Sequence, residues 1–302
     1  MSRIILDTDI GTDVDDALAL AVLLGSPEVE LVGITTVHGD TLLRARLARR
    51  LMRLADAGAG VPVIPGLSHT LSGRDIWWPG HEGRLHEALE REEVQTELDA
   101  VEWLVETVAA HPGEIDLLAV GPLTNIAAAI EADAAFASRL RTLTIMGGDF
   151  SAEGRASEHN LRCDWVAADR VLRAGADLVA VGLDATRTVR ISPEEVARIG
   201  TAGPLGAALV AEIGVWWELH DRDWSNPHDP VAAMTLIRPE LFSREEVAVR
   251  VLSPEQTDPG MEGLLADESR APRIARGVIR DREALTSSIV DRIVAAGEGV
   301  TL

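Results

Sequence analysis

The chain has 302 residues, of which 46% are hydrophobic, and its 28 basic and 49 acidic side chains leave a net charge of −21. That hydrophobic content is enough for a sizeable core and excludes a disordered chain, because disorder requires low hydrophobicity. The acidic balance argues against nucleic acids and anionic membrane surfaces as partners, since binding either of them requires clustered positive charge.

The sequence also lacks the signals expected of an exported or membrane protein. Its first residues form a short apolar segment that leads straight into acidic residues, unlike a signal peptide. The apolar run Ala17–Leu24 has eight residues, whereas a membrane helix needs ~20. Cys163 is the single cysteine, which excludes an intramolecular disulfide and a cysteine-based zinc site. We therefore expect a cytoplasmic protein.

Strand-like and helix-like segments alternate along the chain, beginning with a short buried strand at Ile4–Leu6. An acidic loop and a helix over Ala17–Leu24 follow, and Gly25 and Pro27 end that helix. The next predicted elements are a strand at Val29–Val37 and an Arg-rich helix over Leu42–Ala57. Further strands are predicted at Val61–Ile64, Ile115–Val120, Leu143–Met146 and Leu178–Val181, and further helices at Val101–Ala109, Asn125–Ala132 and Trp165–Ala174.

After Ser192 the pattern is mostly helical and ends with a helix near Ala284–Ala296. Apolar strands separated by helices are typical of a parallel sheet that is covered on both faces. We predict a single α/β domain over residues 1–302, with a Rossmann-like, mostly parallel sheet and a helical C-terminal part. Ligands bind such sheets at the carboxyl ends of the strands, near a topological switch point.

The loop after the first strand carries five carboxylates within ten residues: Asp7, Asp9, Asp13, Asp15 and Asp16. Like charges held this close raise one another's pKa unless a cation neutralises them, and a hard divalent cation prefers oxygen ligands of this kind. A solvated, capped turn is the simpler alternative. An EF-hand is excluded because its Gly and Glu positions hold Thr12 and Leu18. A phosphatase of the haloacid-dehalogenase type is disfavoured because the chain contains no lysine.

A second polar constellation, His228-Asp229-Pro230, lies far along the chain. A lone His-Asp pair is more often a surface or capping feature than a site. The interpretation changes if Asp229 returns to the first acidic loop as another metal ligand. His228 would then lie at the mouth of the same site, where it could act as a general acid.

Six segments carry a resemblance to a known family. They are 7–18 (DTDIGTDVDDAL), 33–40 (GITTVHGD), 121–127 (GPLTNIA), 146–148 (MGG), 158–160 (EHN) and 228–230 (HDP). In these segments the chain resembles the nucleoside hydrolases, the inosine–uridine-preferring ribohydrolases, in order and over nearly its whole length. The resemblance implies Ca²⁺-dependent hydrolysis of the N-glycosidic bond of a ribonucleoside by a homo-oligomer, a dimer or a tetramer.

The resemblance also implies roles for individual residues. Asp9, Asp16, Asp229 and the main-chain carbonyl of Val120 match the ligands of Ca²⁺, and Asp9 also matches the acceptor of a proton from the attacking water. Asp15 matches the carboxylate that holds the ribose 2′ and 3′ hydroxyls. Glu158 and Asn160 match a polar pair beside the ribose, and Met146 matches a contact under the sugar.

Three positions depart from the family pattern and leave the base preference open. Asp40 stands where many relatives carry Asn, and we expect it to contact the substrate. His81 does not align cleanly with a family histidine, although it could still contact the substrate. Trp77 and Trp78 could stack on a base, with Trp78 our chosen substrate contact, or could anchor a mobile loop.

Two tryptophans outside these motifs, Trp216 and Trp217, are predicted to belong to the core or to an interface. Because the sequence does not determine which base the site accepts, two rival functions stay open. One is a hydrolase of another N-riboside, such as a modified nucleoside or a ribosylated cofactor. The other is a nucleoside- or ribose-binding protein without turnover.

Overall fold

The computed structural model describes residues 1–151, 155–271 and 273–298. Within these ranges the strands are β1 (Ser2–Thr8), β2 (Val29–Thr36), β3 (Val63–Pro65), β4 (Ile115–Ala119), β5 (Thr142–Met146), β6 (Leu178–Val181), β7 (Phe242–Val251), β8 (Leu265–Asp267) and β9 (Arg273–Ile279). They form one sheet with the order β3-β2-β1-β4-β5-β6-β9-β7-β8. Pairing is parallel from β3 through β9, and β7 is antiparallel to both β9 and β8.

The helices cover both faces of this sheet, as predicted. They are α1 (Asp15–Leu24), α2 (Thr41–Leu54), α3 (Ala100–Ala110), α4 (Thr124–Ala132), α5 (Phe136–Arg139), α6 (His159–Cys163), α7 (Trp165–Leu172), α8 (Leu183–Thr186), α9 (Pro193–Ile199), α10 (Gly203–His220), α11 (His228–Ile237) and α12 (Arg282–Gly297). In the described part of the chain, none of them is long and apolar enough to cross a membrane.

Strand β1 lies inside the sheet between β2 and β4 and is buried on both faces. Ile4 and Leu6 pack into the core beneath α1, α2, α11 and α12, whereas Ile5 packs into the opposite core beneath α3, α4 and α7. Successive strand residues point to opposite faces, so the continuous apolar run reflects burial on both sides. The fold class is therefore the predicted one.

The C-terminal part differs from the predicted helical pattern because β7, β8 and β9 lie between α11 and α12. The first half of β7 is charged and exposed at Arg244, Glu245 and Glu246, whereas Val249 and Val251 in its second half are buried. Ion pairs to the neighbouring strand support the charged half: Arg276 pairs with Glu245 at 2.6 Å and Arg273 with Glu246 at 2.8 Å. Such cross-strand pairs depend on a partner that is distant in sequence.

The topological switch lies between β1 and β4, because the chain moves outward from β1 through β2 and β3 and then resumes on the other side with β4. The loops that follow β1 and β4 consequently open at the same edge of the sheet. This is where parallel α/β sheets bind ligands.

Candidate active site

The acidic loop spans this edge and runs directly into α1. Asp9 follows β1, and Asp15 and Asp16 form the first turn of α1, where carboxylates suit the helix dipole. The loop after β4 approaches Asp9 closely at Gly121. A Cβ atom at Gly121 would lie 2.8 Å from Asp9 Oδ1, so a larger residue there would displace the carboxylate.

Asp229 reaches the same place from the other end of the chain. It lies in the first turn of α11, which packs against α1. Asp15, Asp16 and Asp229 each offer a carboxylate oxygen, and these oxygens lie within 4.8 Å of one another. All three residues are buried. The two acidic constellations of the sequence thus form one buried cluster.

The cluster is electrostatically strained without a cation. Burial raises the pKa values of Asp15, Asp16 and Asp229 well above their usual range, and the charges of neighbouring aspartates raise them further. Three convergent oxygens are the donor set of a hard divalent cation, whose charge would offset this repulsion. The residues present therefore fit a metal ion.

Asp7 and Asp13 accept hydrogen bonds from neighbouring protein groups. Asp7 accepts hydrogen bonds from Thr35 Oγ1 at 2.5 Å and Asn125 Nδ2 at 2.7 Å, whereas Asp13 accepts from the backbone N–H of Val14 at 2.6 Å. Burial raises the pKa of each carboxyl to about 7.

The loop after β5 and the start of α6 supply a polar wall. Asn160 Nδ2 donates to the carbonyl oxygens of Val120 at 2.6 Å and Met146 at 3.2 Å. A carbonyl oxygen has two lone pairs, so Val120 can still accept a second partner. Glu158 caps α6 and accepts from the N–H groups of Asn160 (2.8 Å), Leu161 (3.1 Å) and Gly148 (3.2 Å), which fixes its carboxylate.

His228 is enclosed beside this wall. Its Nδ1 lies 2.6 Å from Thr186 Oγ1. Burial lowers the pKa of the imidazole to about 4, and the positive charges of Arg187 and Arg222 lower it further. The ring is therefore neutral at neutral pH, and its N–H group can still donate a hydrogen bond to a neighbouring group.

One cavity of about 310 Å³ joins these groups. Its lining contains the predicted residues Asp9, Asp15, Asp16, Val120, Met146, Glu158, Asn160, His228 and Asp229. Other lining residues were not among the predicted contacts, including Thr12, Ser157, His159, Arg162, Leu183 and Arg187. Of these, His159 is the central residue of the quoted EHN segment and Arg162 follows that segment by two residues.

Three predicted substrate contacts lie outside this cavity. Asp40 is exposed and caps α2, where it accepts from the N–H of Leu43 at 2.9 Å. The Trp78 ring covers the guanidinium of Arg44 at 5.0 Å. His81 Nε2 lies 2.7 Å from the carbonyl oxygen of Thr12, and its side chain faces a neighbouring cavity of about 280 Å³. The lining of the 310 Å³ cavity includes none of the three, and contact of each with a substrate stays a prediction.

Two other tryptophans line the cavity instead. Trp77 is 49% exposed at its mouth and meets His159 edge to face, with ring centroids 6.1 Å apart. Trp216 is buried, as predicted for a core residue, yet it borders both cavities. In the described part of the chain its indole Nε1 has no hydrogen-bond partner. Trp216 therefore belongs to the hydrophobic core, as predicted, and its ring also forms part of the cavity wall.

Comparison with known proteins agrees with this geometry. The family model described as inosine-uridine preferring nucleoside hydrolase matches residues 4–284. The chain is 33% identical to uridine nucleosidase 1 of Arabidopsis thaliana over 267 residues, covering 82% of this chain and 78% of that protein. It is 30% identical to the pyrimidine-specific ribonucleoside hydrolase RihB of Escherichia coli, covering 82% of both chains. A solved plant nucleoside hydrolase, the PpNRh1 enzyme, superposes with a TM-score of 0.85 at 29% identity, covering 97% of this chain and 99% of that one.

Proposed function

The chain belongs to the inosine–uridine-preferring nucleoside hydrolase family and is an N-ribosyl hydrolase, and we propose on this premise that it cleaves ribonucleosides to free base and ribose with Ca²⁺ bound at the acidic cluster. The observation that carries the proposal is the convergence of Asp15, Asp16 and Asp229 within 4.8 Å in a buried cavity. Ca²⁺ suits a site with several carboxylate and carbonyl oxygens and flexible geometry.

We assign Asp9, Asp16, Asp229 and the Val120 carbonyl as the metal ligands. The cluster around Asp16 and Asp229 supports this set, as does the approach of the β4 loop to Asp9. A divalent cation bound here would polarise the attacking water and lower its pKa. Asp9 would accept the proton that this water loses.

We assign the ribose to the space between Asp15 and the polar wall. Asp15 would hold the 2′ and 3′ hydroxyls, Glu158 and Asn160 would contact the other hydroxyl side, and Met146 would lie under the sugar. All four side chains line the cavity. Cleavage builds positive charge on the sugar in an oxocarbenium-like transition state, which these carboxylates would stabilise.

We assign His228 to the departing base as a neutral hydrogen-bond donor. A hydroxyl can donate or accept, and we assign the Thr186 hydroxyl as the donor to Nδ1 in their 2.6 Å contact, which places the ring proton on Nε2. The neighbouring Arg187 contributes positive charge that would favour a base leaving with negative charge.

Uridine is the first substrate that we propose, because the relatives reported above include a uridine nucleosidase and a pyrimidine-specific hydrolase. We further propose that the enzyme works in the cytoplasm as a homo-oligomer in nucleoside salvage, which the family resemblance alone supports.

The test is ribose release from uridine, cytidine, inosine and adenosine, first with Ca²⁺ and then with a chelator. We expect release that the chelator abolishes and added Ca²⁺ restores. Asp16→Asn should lose this activity, whereas Asp40→Asn, a matched change outside the cavity, should retain it. Release that is insensitive to the chelator would contradict the metal assignment.

A larger aglycone is the second candidate. The neighbouring cavity of about 280 Å³ shares Thr12, Asp13 and Trp216 with the substrate cavity, so it could hold a substituent on the base. Faster release from a base-modified nucleoside than from the four common ones would favour this candidate.

A further inference from the structure

Arg44 lies directly behind the acidic loop and is almost fully buried, with 1% of its surface exposed. Its guanidinium donates to the carbonyl oxygens of His38 at 2.7 Å, Ile10 at 2.8 Å and Asp9, and to Thr12 Oγ1 at 3.2 Å. Burying a guanidinium is unfavourable unless its hydrogen bonds and charge are compensated. Here three carbonyls and a hydroxyl compensate the hydrogen bonds.

The tryptophan loop, residues 76–83, closes over Arg44 from the other side. The Trp78 ring lies 5.0 Å from the guanidinium and against the backbone of Gly39, where a Cβ atom would come within 2.7 Å of the ring. Gly39 has a φ of +76°. Glycine suits this position because it adopts a positive φ without strain and has no Cβ atom to collide with the Trp78 ring. His81 Nε2 lies 2.7 Å from the Thr12 carbonyl oxygen, and Thr12 Oγ1 lies 3.2 Å from Glu82 Oε1.

Arg44 and the tryptophan loop thus hold the acidic loop by its backbone. Arg44 contacts the main-chain carbonyls of Asp9 and Ile10, next to the Asp9 side chain that enters the cavity. The following Gly11 has a φ of +114°, so this backbone turns sharply at the point where it is held. Trp77, the neighbour of Trp78, lines the same cavity.

We propose that Arg44 is a positioning residue of the metal site, which fixes the main chain at Asp9 and Ile10 so that the Asp9 carboxylate points at the metal and the attacking water. Trp78 and His81 support this arrangement from the outer side, Trp78 by covering the guanidinium and His81 by contacting the Thr12 carbonyl. This inference rests on the proposed function of the acidic cluster. Partners that orient the ligands of a metal commonly change metal affinity by 10–100-fold when removed, and a misplacement of about 1 Å at a reacting group can cost about 100-fold in rate.

The test compares Arg44→Met, Arg44→Lys and wild type by calorimetric Ca²⁺ titration and by kcat and KM at saturating Ca²⁺. We expect Arg44→Met to bind Ca²⁺ about 10–100-fold more weakly. We also expect its kcat to fall by at least about 10-fold while KM changes by less than about threefold, because the base is displaced and the ribose contacts are retained. Arg44→Lys keeps the charge without the planar fork and should recover only part of both losses.

Arg49→Met is the matched control. Arg49 lies on the same helix and also donates to three carbonyls, those of Glu93 (3.2 Å), Gly58 (3.1 Å) and Val61 (2.6 Å), but away from the cavity. It should lower the thermal midpoint without changing Ca²⁺ affinity or kcat.

A purely structural role would make Arg44→Met behave as Arg49→Met does, and wild-type Ca²⁺ affinity with unchanged kcat in the folded Arg44→Met protein would overturn the proposal. If Arg44→Met does not fold, Trp78→Leu makes the same comparison and should weaken Ca²⁺ binding by about 3–10-fold. Wild-type protein that binds no Ca²⁺ would refute the proposed metal instead. The kcat of Arg44→Met, compared with those of wild type and Arg49→Met, would still test the positioning role of Arg44.

Discussion

Replacing Asp229 by Asn should stabilise the metal-free protein while removing its response to Ca²⁺. Asp229, Asp15 and Asp16 offer oxygens within 4.8 Å of one another and are all buried. Asn keeps the size of the side chain, removes one negative charge, and offers an N–H that can donate to the two remaining carboxylates. The same substitution deletes a proposed metal ligand.

The magnitude follows from Coulomb's law. Two unit charges at 4.8 Å repel by about 3.5 kcal/mol at an effective dielectric constant of about 20. Asp229 has two such neighbours, and burial together with their charges raises its pKa, so protonation within the cluster would offset part of this repulsion. We therefore expect a net gain of about 1–3 kcal/mol at pH 8. In a chain of 302 residues this raises the thermal midpoint by about 2–5 °C.

The assay is thermal unfolding at pH 8 in a chelator and then over a series of Ca²⁺ concentrations. Ca²⁺ at 100 times its Kd should stabilise wild type by about 2.7 kcal/mol, or about 4 °C, and should leave Asp229→Asn almost unchanged. Asp258→Asn, an exposed position, is the control for charge and should behave as wild type. A lower midpoint of Asp229→Asn in chelator, or an equal Ca²⁺ response in both proteins, would refute this account of the cluster.

Three further predictions concern the proton transfers and the pH dependence. Asp9→Asn should lower kcat by at least about 100-fold with little change in KM, measured as ribose release, and unchanged turnover would mean that another group is the base. Because the pKa of His228 is about 4, kcat should show no decline centred near pH 6.5, and a decline there that His228→Gln abolishes would contradict its neutral role. Burial raises the pKa values of Asp7 and Asp13 from 3.8 to about 7 in the folded chain. Their protonated forms therefore contribute to the free energy of unfolding in full below about pH 4, and this contribution is lost as the pH rises through about 7. Urea unfolding in chelator should therefore show a loss of about 1.4 kcal/mol for each group between pH 6 and pH 8, and constant or rising stability would argue against these shifts.

The sheet was predictable because its signal is local. Ile4, Ile5 and Leu6 are apolar on both sides of the strand, which is what burial between two helical layers requires. The strand β7 was missed although Val247, Val249 and Val251 alternate with other residues and pack against a core, because its charged first half holds Glu245 and Glu246, whose partners lie on β9. Its stability depends on a strand that the chain reaches later.

The metal cluster was predictable in part. The five carboxylates between Asp7 and Asp16 already indicate a cation from their spacing, and the family resemblance suggested that Asp229 joins them. Their meeting depends on the packing of α11 against α1, which no local pattern encodes.

The remaining site residues depend on where loop side chains point. Trp77 and Trp78 are identical in type and adjacent in sequence, yet Trp77 lines the cavity and Trp78 covers Arg44. Composition and periodicity determine which segments are buried and where the strands end, because burial is set by short-range alternation of apolar residues. The direction of a side chain in a loop is set by contacts to distant segments, such as that of Trp78 with Arg44 and Gly39, and these exist only once the tertiary structure has formed.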